Sequence, residues 1–484
     1  MKNHGYFSLI SLGCPKNRVD SEKILAALMT EGFEHTQDQE LAQIIVINTC
    51  AFIQPAVEES IATILDSSAA NPEAYLIVAG CMPLRYGESL KDLLPEVDLF
   101  LRPYQVGMIS DIIRSSSASQ KIGKAAPQRP VTPSSSYSKP GIYLPDSTNP
   151  AHLIKTSEMR DDSGCVVCPG GISRVLSTPG YAYLRISDGC NHGCKFCAIP
   201  LIRGRLKSET MDDLVREASG LVDCGVKEIV LIAQDLTSYG RDLGMKNGLI
   251  QLLEKLELIS GIEWVRLMYL YPSGITPELI HMIRDSDKIL PYVDVPIQHI
   301  SENVLRSMGR PWRDLEIRKM IESFRSQIPE IAIRTTLMVG FPTETEDDFT
   351  MLTDFVRQSE LDHVGVFSYF QEEGSPAEKL GDPIPTKIKN ARARKLRSIH
   401  STFIKKKMKK RVGSIETAIV EGFSEQTDLL LQGRIWDQAP DIDGKLYITD
   451  GEASVGEIVK VLITETNGVD IFGEIKRSEN QSVG

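Results

Sequence analysis

The sequence predicts an α/β protein of three parts: an amino-terminal α/β domain with a parallel sheet, a partial (β/α)6 barrel and a small carboxyl-terminal all-β barrel. Two stretches in which strand-like and helix-like patterns alternate predict the first two parts. Five short strands with turn signals between them predict the third. We expect the domains at residues 5–112, 179–411 and 412–477, and a Ser/Pro-rich linker at 113–178.

In the amino-terminal domain, a cysteine follows each of three predicted strands. The strands are Phe7–Leu12, Ile44–Ile47 and Tyr75–Ala79, and the cysteines are Cys14, Cys50 and Cys81 (the sheet triplet). Because ligands bind beyond the carboxyl ends of parallel strands, these three thiols should converge at one sheet edge. Buried core cysteines are the alternative, but core cysteines would not be expected to recur after three separate strands. The pattern favours a metal site.

The predicted barrel carries a second group of cysteines, in the loop after its first strand. Cys190, Cys194 and Cys197 (the barrel triplet) lie close enough in sequence for one loop to direct three thiolates at one point. A [4Fe–4S] cluster normally has four cysteine ligands, so three leave one iron open for chemistry. A zinc site is an alternative that would need a fourth ligand, for which His192 is the nearby candidate. Free thiols are another.

The predicted barrel strands and helices alternate along residues 179–411. The strands are Tyr181–Ser187, Glu228–Ala233, Trp264–Leu270, Tyr292–Ile297, Ala332–Gly340 and His363–Tyr369. Functional groups should lie at the carboxyl ends of such strands, where the barrel triplet is found.

The linker carries a further cysteine pair, Cys165–Cys168. This pair could bind metal or act as a redox couple, and an incidental pair is equally compatible with the sequence, so we assign it no role.

The composition is that of a soluble globular protein, with 42% hydrophobic and 25% charged residues. No apolar run reaches the roughly 18 residues of a membrane-spanning helix, and the amino terminus lacks a secretion signal. We therefore expect a cytoplasmic protein with no membrane partner, in which nine cysteines indicate metal binding or catalysis rather than disulfides. The net charge of −11 argues mildly against a protein that coats nucleic acid.

Together these features resemble the methylthiotransferase family of radical S-adenosylmethionine (SAM) enzymes. The order matches: an amino-terminal domain with three dispersed cysteines, a radical SAM partial barrel and a carboxyl-terminal TRAM barrel. The resemblance implies two [4Fe–4S] clusters, one on each cysteine triplet, and two SAM molecules. One SAM would be cleaved to a radical that removes hydrogen from the substrate. The other would donate the methyl group.

One branch of this family modifies an adenosine in transfer RNA, and another modifies the β-carbon of an aspartate in small-ribosomal-subunit protein twelve. The opening segment Ser11–Glu22 and the segments Gly433-Arg434 and Ala439–Gly444 resemble the second branch. From Gly413 to Gly484 there are fourteen acidic and five basic residues, a balance of −9. An acidic barrel suits a basic ribosomal protein better than RNA. The transfer-RNA activity and a non-catalytic iron–sulfur module that binds ribosomes are the alternatives.

The implied partners are protein twelve, either free or in the assembling subunit, and an electron-donor protein that the sequence does not identify. Ribosomal RNA is a further candidate because Lys387–Arg411 contains twelve Lys or Arg and no acidic residue. A solvated connecting helix is the alternative interpretation of that segment.

Four side chains are candidate SAM contacts, and no catalytic residue is assigned. Phe196 lies in the cysteine loop, where family members place an aromatic ring near the adenine. Gln234 and Asp235 follow the second barrel strand, where polar groups commonly meet the methionine part or the ribose of SAM. Arg334 begins the fifth strand and could pair with a carboxylate. Core packing of Phe196, helix capping by Asp235 and a surface ion pair of Arg334 are the alternatives.

Overall fold

The computed structural model describes residues 4–115, 121–122, 174–178, 180–424 and 427–476. Within these residues the chain forms two compact units. The first contains the chain through Ser177 together with residues 198–204 and 219–224, and the second contains the remainder. Most of the predicted linker, including Cys165 and Cys168, lies outside the described residues.

A five-stranded parallel sheet forms the centre of the first unit. Its strands are β1 (Tyr6–Ser11), β2 (Glu34–His35), β3 (Ile44–Thr49), β4 (Tyr75–Gly80) and β5 (Leu99–Leu101), in the order β2-β1-β3-β4-β5. Every residue of β3 and β4 is buried, and two apolar clusters lie around the sheet. This burial explains why β3 and β4 read as continuous apolar runs rather than as alternating patterns.

Helices follow the strands of this sheet. They are α1 (Pro15–Thr30), α2 (Gln54–Ala70), α3 (Cys81–Tyr86), α4 (Leu90–Leu93) and α5 (Ile109–Arg114). The first helix begins at Pro15, because Pro15 suits the first helical turn and Cys14 forms the extended N-cap. Cys14 therefore lies at a helix start and not in an open loop.

The second unit contains an open six-stranded parallel sheet, which confirms the predicted partial barrel. Its strands are β6 (Tyr181–Arg185), β9 (Glu228–Ile232), β10 (Trp264–Leu267), β11 (Ile289–Asp294), β12 (Ala332–Val339) and β13 (His363–Ser368), in the order β13-β12-β11-β10-β9-β6. Two short strands, β7 (Ser187–Asp188) and β8 (Lys207–Ser208), pair after β6. The predicted fourth strand begins earlier than expected, at Ile289 rather than Tyr292.

Helices alternate with the strands along this part of the chain. They are α6 (Ile199–Ile202), α7 (Met211–Asp223), α8 (Gly248–Glu257), α9 (Pro277–Asp285), α10 (Glu302–Ser307), α11 (Asp314–Gln327) and α12 (Glu346–Gln358). The short helix α6 belongs to the first compact unit, where Ala198 and Ile202 pack into an apolar cluster.

A closed five-stranded barrel completes the second unit, as predicted. Its strands are β14 (Ile415–Ser424), β15 (Thr427–Ile435), β16 (Leu446–Asp450), β17 (Ile458–Thr466) and β18 (Ile471–Ile475), in the order β14-β15-β16-β18-β17. The apolar segments Thr417–Val420 and Leu429–Leu431 lie within the first two strands, and both strands extend beyond these segments. Strand pairing continues into polar residues, which an apolar pattern does not detect.

A buried ionic cluster joins the open sheet to the small barrel within the second unit. Glu228 of β9 accepts hydrogen bonds from Arg266 of β10 at 2.6 Å and from Arg434 of β15 at 2.6 Å. Arg434 also pairs with Glu421 of β14. The side chains of Glu228, Arg266 and Arg434 are at most 2% exposed. This cluster fixes the barrel strands against the sheet.

The basic segment forms one long helix, α13 (Thr386–Arg411). Four of its twelve cations lie in ion pairs, which are Lys389–Asp382, Arg392–Glu346, Lys407–Asp362 and Arg411–Asp437. The other eight cations are exposed. The helix thus anchors itself through a third of its charges and presents the rest to solvent.

In the described part of the chain, no helix is both long enough and apolar enough to cross a membrane.

Candidate metal centres

The sheet triplet lies at the carboxyl ends of three neighbouring strands. The register of β1, β3 and β4 aligns these ends, so Cys50 directly follows β3 and Cys81 begins α3. Gly13, before Cys14, has a φ of +91°, and a Cβ built there would lie 2.7 Å from Cys50 Cβ. Glycine is therefore needed for the Cys14 segment to pass this close to Cys50.

A buried asparagine connects the ends of these strands. Asn17 donates through Nδ2 to the carbonyl oxygens of Leu12 at 3.0 Å and Thr49 at 2.9 Å. Its Oδ1 accepts a hydrogen bond from Arg203 at 2.8 Å, and the same guanidinium nitrogen lies 3.3 Å from Cys81 Sγ. The triplet thus has a fixed polar scaffold beside it.

The three thiols of the sheet triplet influence one another electrostatically. Burial raises the pKa of Cys50 to about 12; the hydrogen bond with the Phe52 backbone opposes this, and Cys81 and Cys14 reinforce it. Burial also raises the pKa of Cys81, and the Arg203 guanidinium opposes that rise. Thiols in this setting ionise only if positive charge compensates them, which a bound metal provides.

The barrel triplet lies on a loop that packs against a second loop of the same unit. The Lys195 N–H donates to the Met308 carbonyl at 2.9 Å, and the Ala377 N–H donates to the Lys195 carbonyl at 2.8 Å. A Cβ built on Gly309 would lie 2.6 Å from the Gly193 carbonyl oxygen. Backbone contacts from two other segments, one at Met308-Gly309 and one at Ala377, therefore determine the path of the cysteine loop.

His192, inside the cysteine loop, is held on two sides. Its Nε2 lies 2.6 Å from Asp235 Oδ2, and its ring stacks on Tyr271 with 3.5 Å between centroids. Burial raises the pKa of Asp235, but hydrogen bonds from His192, Ser238 and Thr237 outweigh burial and leave that pKa below its usual value. Asp235 is thus a carboxylate that orients the loop histidine.

A buried arginine surrounded by aromatic rings lies beside the same loop. The Arg310 guanidinium carbon is 5.6 Å from the Phe196 ring centroid, 4.9 Å from that of Tyr271 and 4.8 Å from that of Trp312. Burial raises the pKa of the Tyr271 hydroxyl, Arg310 opposes the rise and Cys194 reinforces it. The barrel triplet therefore has a cation and an aromatic wall close by.

The four candidate SAM contacts have different surroundings. Phe196 packs on an apolar cluster that includes Met308 and Phe341. Gln234 donates to Asp188 at 2.9 Å, which ties it to the strand before the cysteine loop. Asp235 caps a short 3-10 helix as well as contacting His192.

Arg334 is engaged in ion pairs. It pairs with Asp294 at 3.0 Å and with Asp443 at 3.4 Å. Through Asp443 it reaches the small barrel, and both ion pairs are largely buried rather than at the surface as the ion-pair alternative has it. Of the four candidates, Phe196 belongs to the cysteine loop, Asp235 contacts it directly, and Gln234 contacts the strand before it.

The residues of both triplets are of the type that holds iron–sulfur clusters. All six cysteines are free thiols. Across the described ranges, no three His, Cys, Asp or Glu side chains are arranged around a point that would hold a single metal ion. In a cubane each thiolate binds a different iron, so its ligands need not converge as closely as those of one zinc ion.

Sequence reasoning did not single out Arg203, Tyr271 or Arg310. Tyr271 lies just beyond the carboxyl end of β10, where the barrel rule places functional groups, so a signal for it existed. Arg203 and Arg310 lie in irregular segments, and nothing in the local pattern connects them to a cysteine.

Three family models match the chain in the order of its folded parts. They are the uncharacterized protein family UPF0004 at residues 6–102, the radical SAM superfamily at 184–356 and the TRAM domain at 412–475. A solved structure of the radical SAM methyltransferase TsrM from Kitasatospora setae has a TM-score of 0.51 at 12% identity, and covers 78% of this chain and 74% of its own. At that identity the similarity concerns the fold.

Curated relatives match over nearly the whole chain. A protein of Geotalea uraniireducens named ribosomal protein uS12 methylthiotransferase RimO is 42% identical over 472 residues, which cover 97% of this chain and 98% of the relative. The protein of the same name from Geobacter sulfurreducens is 41% identical with the same coverage. The chain therefore belongs to the RimO family of methylthiotransferases, within the radical SAM superfamily.

Proposed function

We propose that this chain adds a methylthio group to the β-carbon of an aspartate in ribosomal protein uS12, using two [4Fe–4S] clusters and SAM. The observation that carries the proposal is identity of about 40% over 97% of the chain to proteins named for this activity. The two triplets of free cysteines, each at the carboxyl ends of parallel strands, support it.

We assign one cluster to each triplet. When bound, the clusters and SAM supply the radical and the sulfur chemistry. The barrel triplet would hold the cluster at which SAM binds, and the sheet triplet would hold the other. Phe196, Gln234 and Asp235 are our candidates for contacts with SAM. Arg334 is retained as a weaker candidate, because its guanidinium is already engaged by two carboxylates.

The sequence charge of the carboxyl-terminal region supports a basic protein as substrate. Residues 413–484 carry a net charge of −9, and an acidic region attracts uS12 more readily than a phosphate backbone. The eight exposed cations of α13 are our candidates for contacts with ribosomal RNA, if uS12 is modified in the assembling subunit. We propose the cytoplasm as the location and a reducing protein as the electron donor. We also retain 5–112, 179–411 and 412–477 as the domain boundaries.

Mass spectrometry of a strain that lacks the gene tests the proposal. We expect uS12 from the deletion strain to lack the methylthio group that the parent strain carries, and transfer RNA to keep its methylthioadenosine. Unmodified uS12 in both strains, or loss of the transfer-RNA modification alone, would contradict the proposal. Complementation with a gene lacking the barrel triplet is the matched control and should not restore modification.

A further inference from the structure

Arg203 makes direct contact with the sheet triplet. Its side chain is 2% exposed, and its Nη2 donates to Cys81 Sγ at 3.3 Å and to Asn17 Oδ1 at 2.8 Å. Asp20 lies 3.7 Å from Nη1. A buried guanidinium is thus shared between a sulfur that would bind iron and two polar groups of α1.

The helix α6 on one side and Asn17 on the other fix the position of Arg203. The residue caps α6, and its N–H donates to the Ile199 carbonyl at 2.7 Å. Ile202 is buried in the same apolar cluster as Val78 and Met82. On the other side, Asn17 uses both Nδ2 donors on strand-end carbonyls, so its Oδ1 is oriented toward Arg203. A continuous set of hydrogen bonds therefore runs from the ends of β1 and β3 to Cys81.

We propose that Arg203 is a positioning residue that holds Cys81 and raises the reduction potential of the cluster bound by the sheet triplet. The inference rests on the proposed function, because it requires a cluster at this site. One-electron reduction adds one negative charge to the cluster, with no bond broken and no proton moved. A buried cation that donates to a ligand sulfur stabilises the more negative state, and burial limits screening by water.

A purely structural role makes a different prediction. If Arg203 only neutralises Asp20, its removal changes stability and leaves the cluster potential unchanged. The potential is therefore the readout that separates the two roles.

The experiment uses the full chain with the barrel triplet changed to Ala, so that only the sheet cluster contributes. The variants Arg203→Met and Arg203→Lys are added to this parent, and Arg205→Met, at an exposed neighbouring position, is the matched control. Titration with dithionite, followed by EPR of the reduced cluster, gives the ratio of oxidised to reduced cluster at a fixed potential.

We expect Arg203→Met to raise the ratio of oxidised to reduced cluster at least tenfold. For a one-electron couple, this corresponds to a reduction potential that is lower by about 59 mV. Arg203→Lys should give a smaller rise and Arg205→Met none. An unchanged ratio in Arg203→Met with its iron retained would overturn the inference. If Arg203→Met loses iron, the Arg203→Lys variant provides the test instead, and an unchanged ratio of oxidised to reduced cluster in that variant would overturn the inference. Loss of iron from both Arg203 variants but not from Arg205→Met would support the positioning of Cys81. A parent without iron would instead refute the second cluster of the proposed function.

Discussion

Replacing Arg434 with methionine should destabilise the second unit more than any surface substitution of the same kind. In the folded chain the Arg434 guanidinium pairs with Glu228 and Glu421, and all three side chains are at most 14% exposed. After the change Glu228 keeps Arg266, but Glu421 loses its cation. Breaking a buried ion pair by removing one partner costs about 3–5 kcal/mol.

Differential scanning calorimetry of the full chain measures this effect. For a unit of this size about 2 °C of melting temperature corresponds to 1 kcal/mol, so we expect the unfolding transition of the second unit to fall by about 6–10 °C. The matched control is Arg318→Met, which removes a partly exposed pair with Asp314 and should cost less than about 1 kcal/mol.

A second substitution tests the physical cause. The double variant Arg434→Met/Glu421→Gln should recover part of the loss, because it removes the carboxylate that the first change leaves unpaired. A melting temperature for Arg434→Met within about 2 °C of the wild type, as expected for an exposed pair, would refute the reasoning. So would further destabilisation by the second change.

Three further predictions concern the clusters and the buried charges. Gly13→Ala should reduce bound iron from about eight to about four per chain, whereas Gly107→Ala, where a Cβ meets nothing within 4 Å, should retain it. Changing the barrel triplet to Ala should abolish SAM cleavage, whereas changing the sheet triplet should spare cleavage and stop sulfur transfer; the opposite pattern would exchange the two assignments. Burial lowers the pKa of His299 to about 3. Below pH 6.5 the unfolded chain therefore binds a proton that the folded chain does not. The free energy of unfolding should fall by about 1.4 kcal/mol for each pH unit of acidification below that point. His299→Gln should weaken that dependence between pH 7 and pH 5 in thermal melts, and an unchanged pH dependence would contradict the assignment.

Much of the fold could be predicted because it depends on local patterns. The apolar runs of β3 and β4 identify a parallel sheet, and the cysteines that follow them predict a site at one edge, since strand ends in such sheets lie together. The strand β11 was placed too late because Pro291 interrupts its apolar run, and a proline argues against a strand interior.

The partners of the charged residues could not be predicted. The charge run of α13 does not reveal that Lys389, Arg392, Lys407 and Arg411 are engaged in ion pairs while the other cations are exposed. The same limit applies to Arg203, whose contact with Cys81 joins residues 122 positions apart. Such contacts depend on tertiary packing, which has no periodic signal in the sequence.

The most direct test of the central claim is the reaction of the reconstituted enzyme with purified uS12 and, in parallel, with transfer RNA. Anaerobic incubation with SAM, a reductant and a sulfide source is followed by tandem mass spectrometry of both substrates. The account predicts a methylthio group on one aspartate of uS12 and none on the RNA, with SAM cleavage that depends on the barrel triplet. A methylthio group on an adenosine, or SAM cleavage with uS12 unchanged, would contradict it.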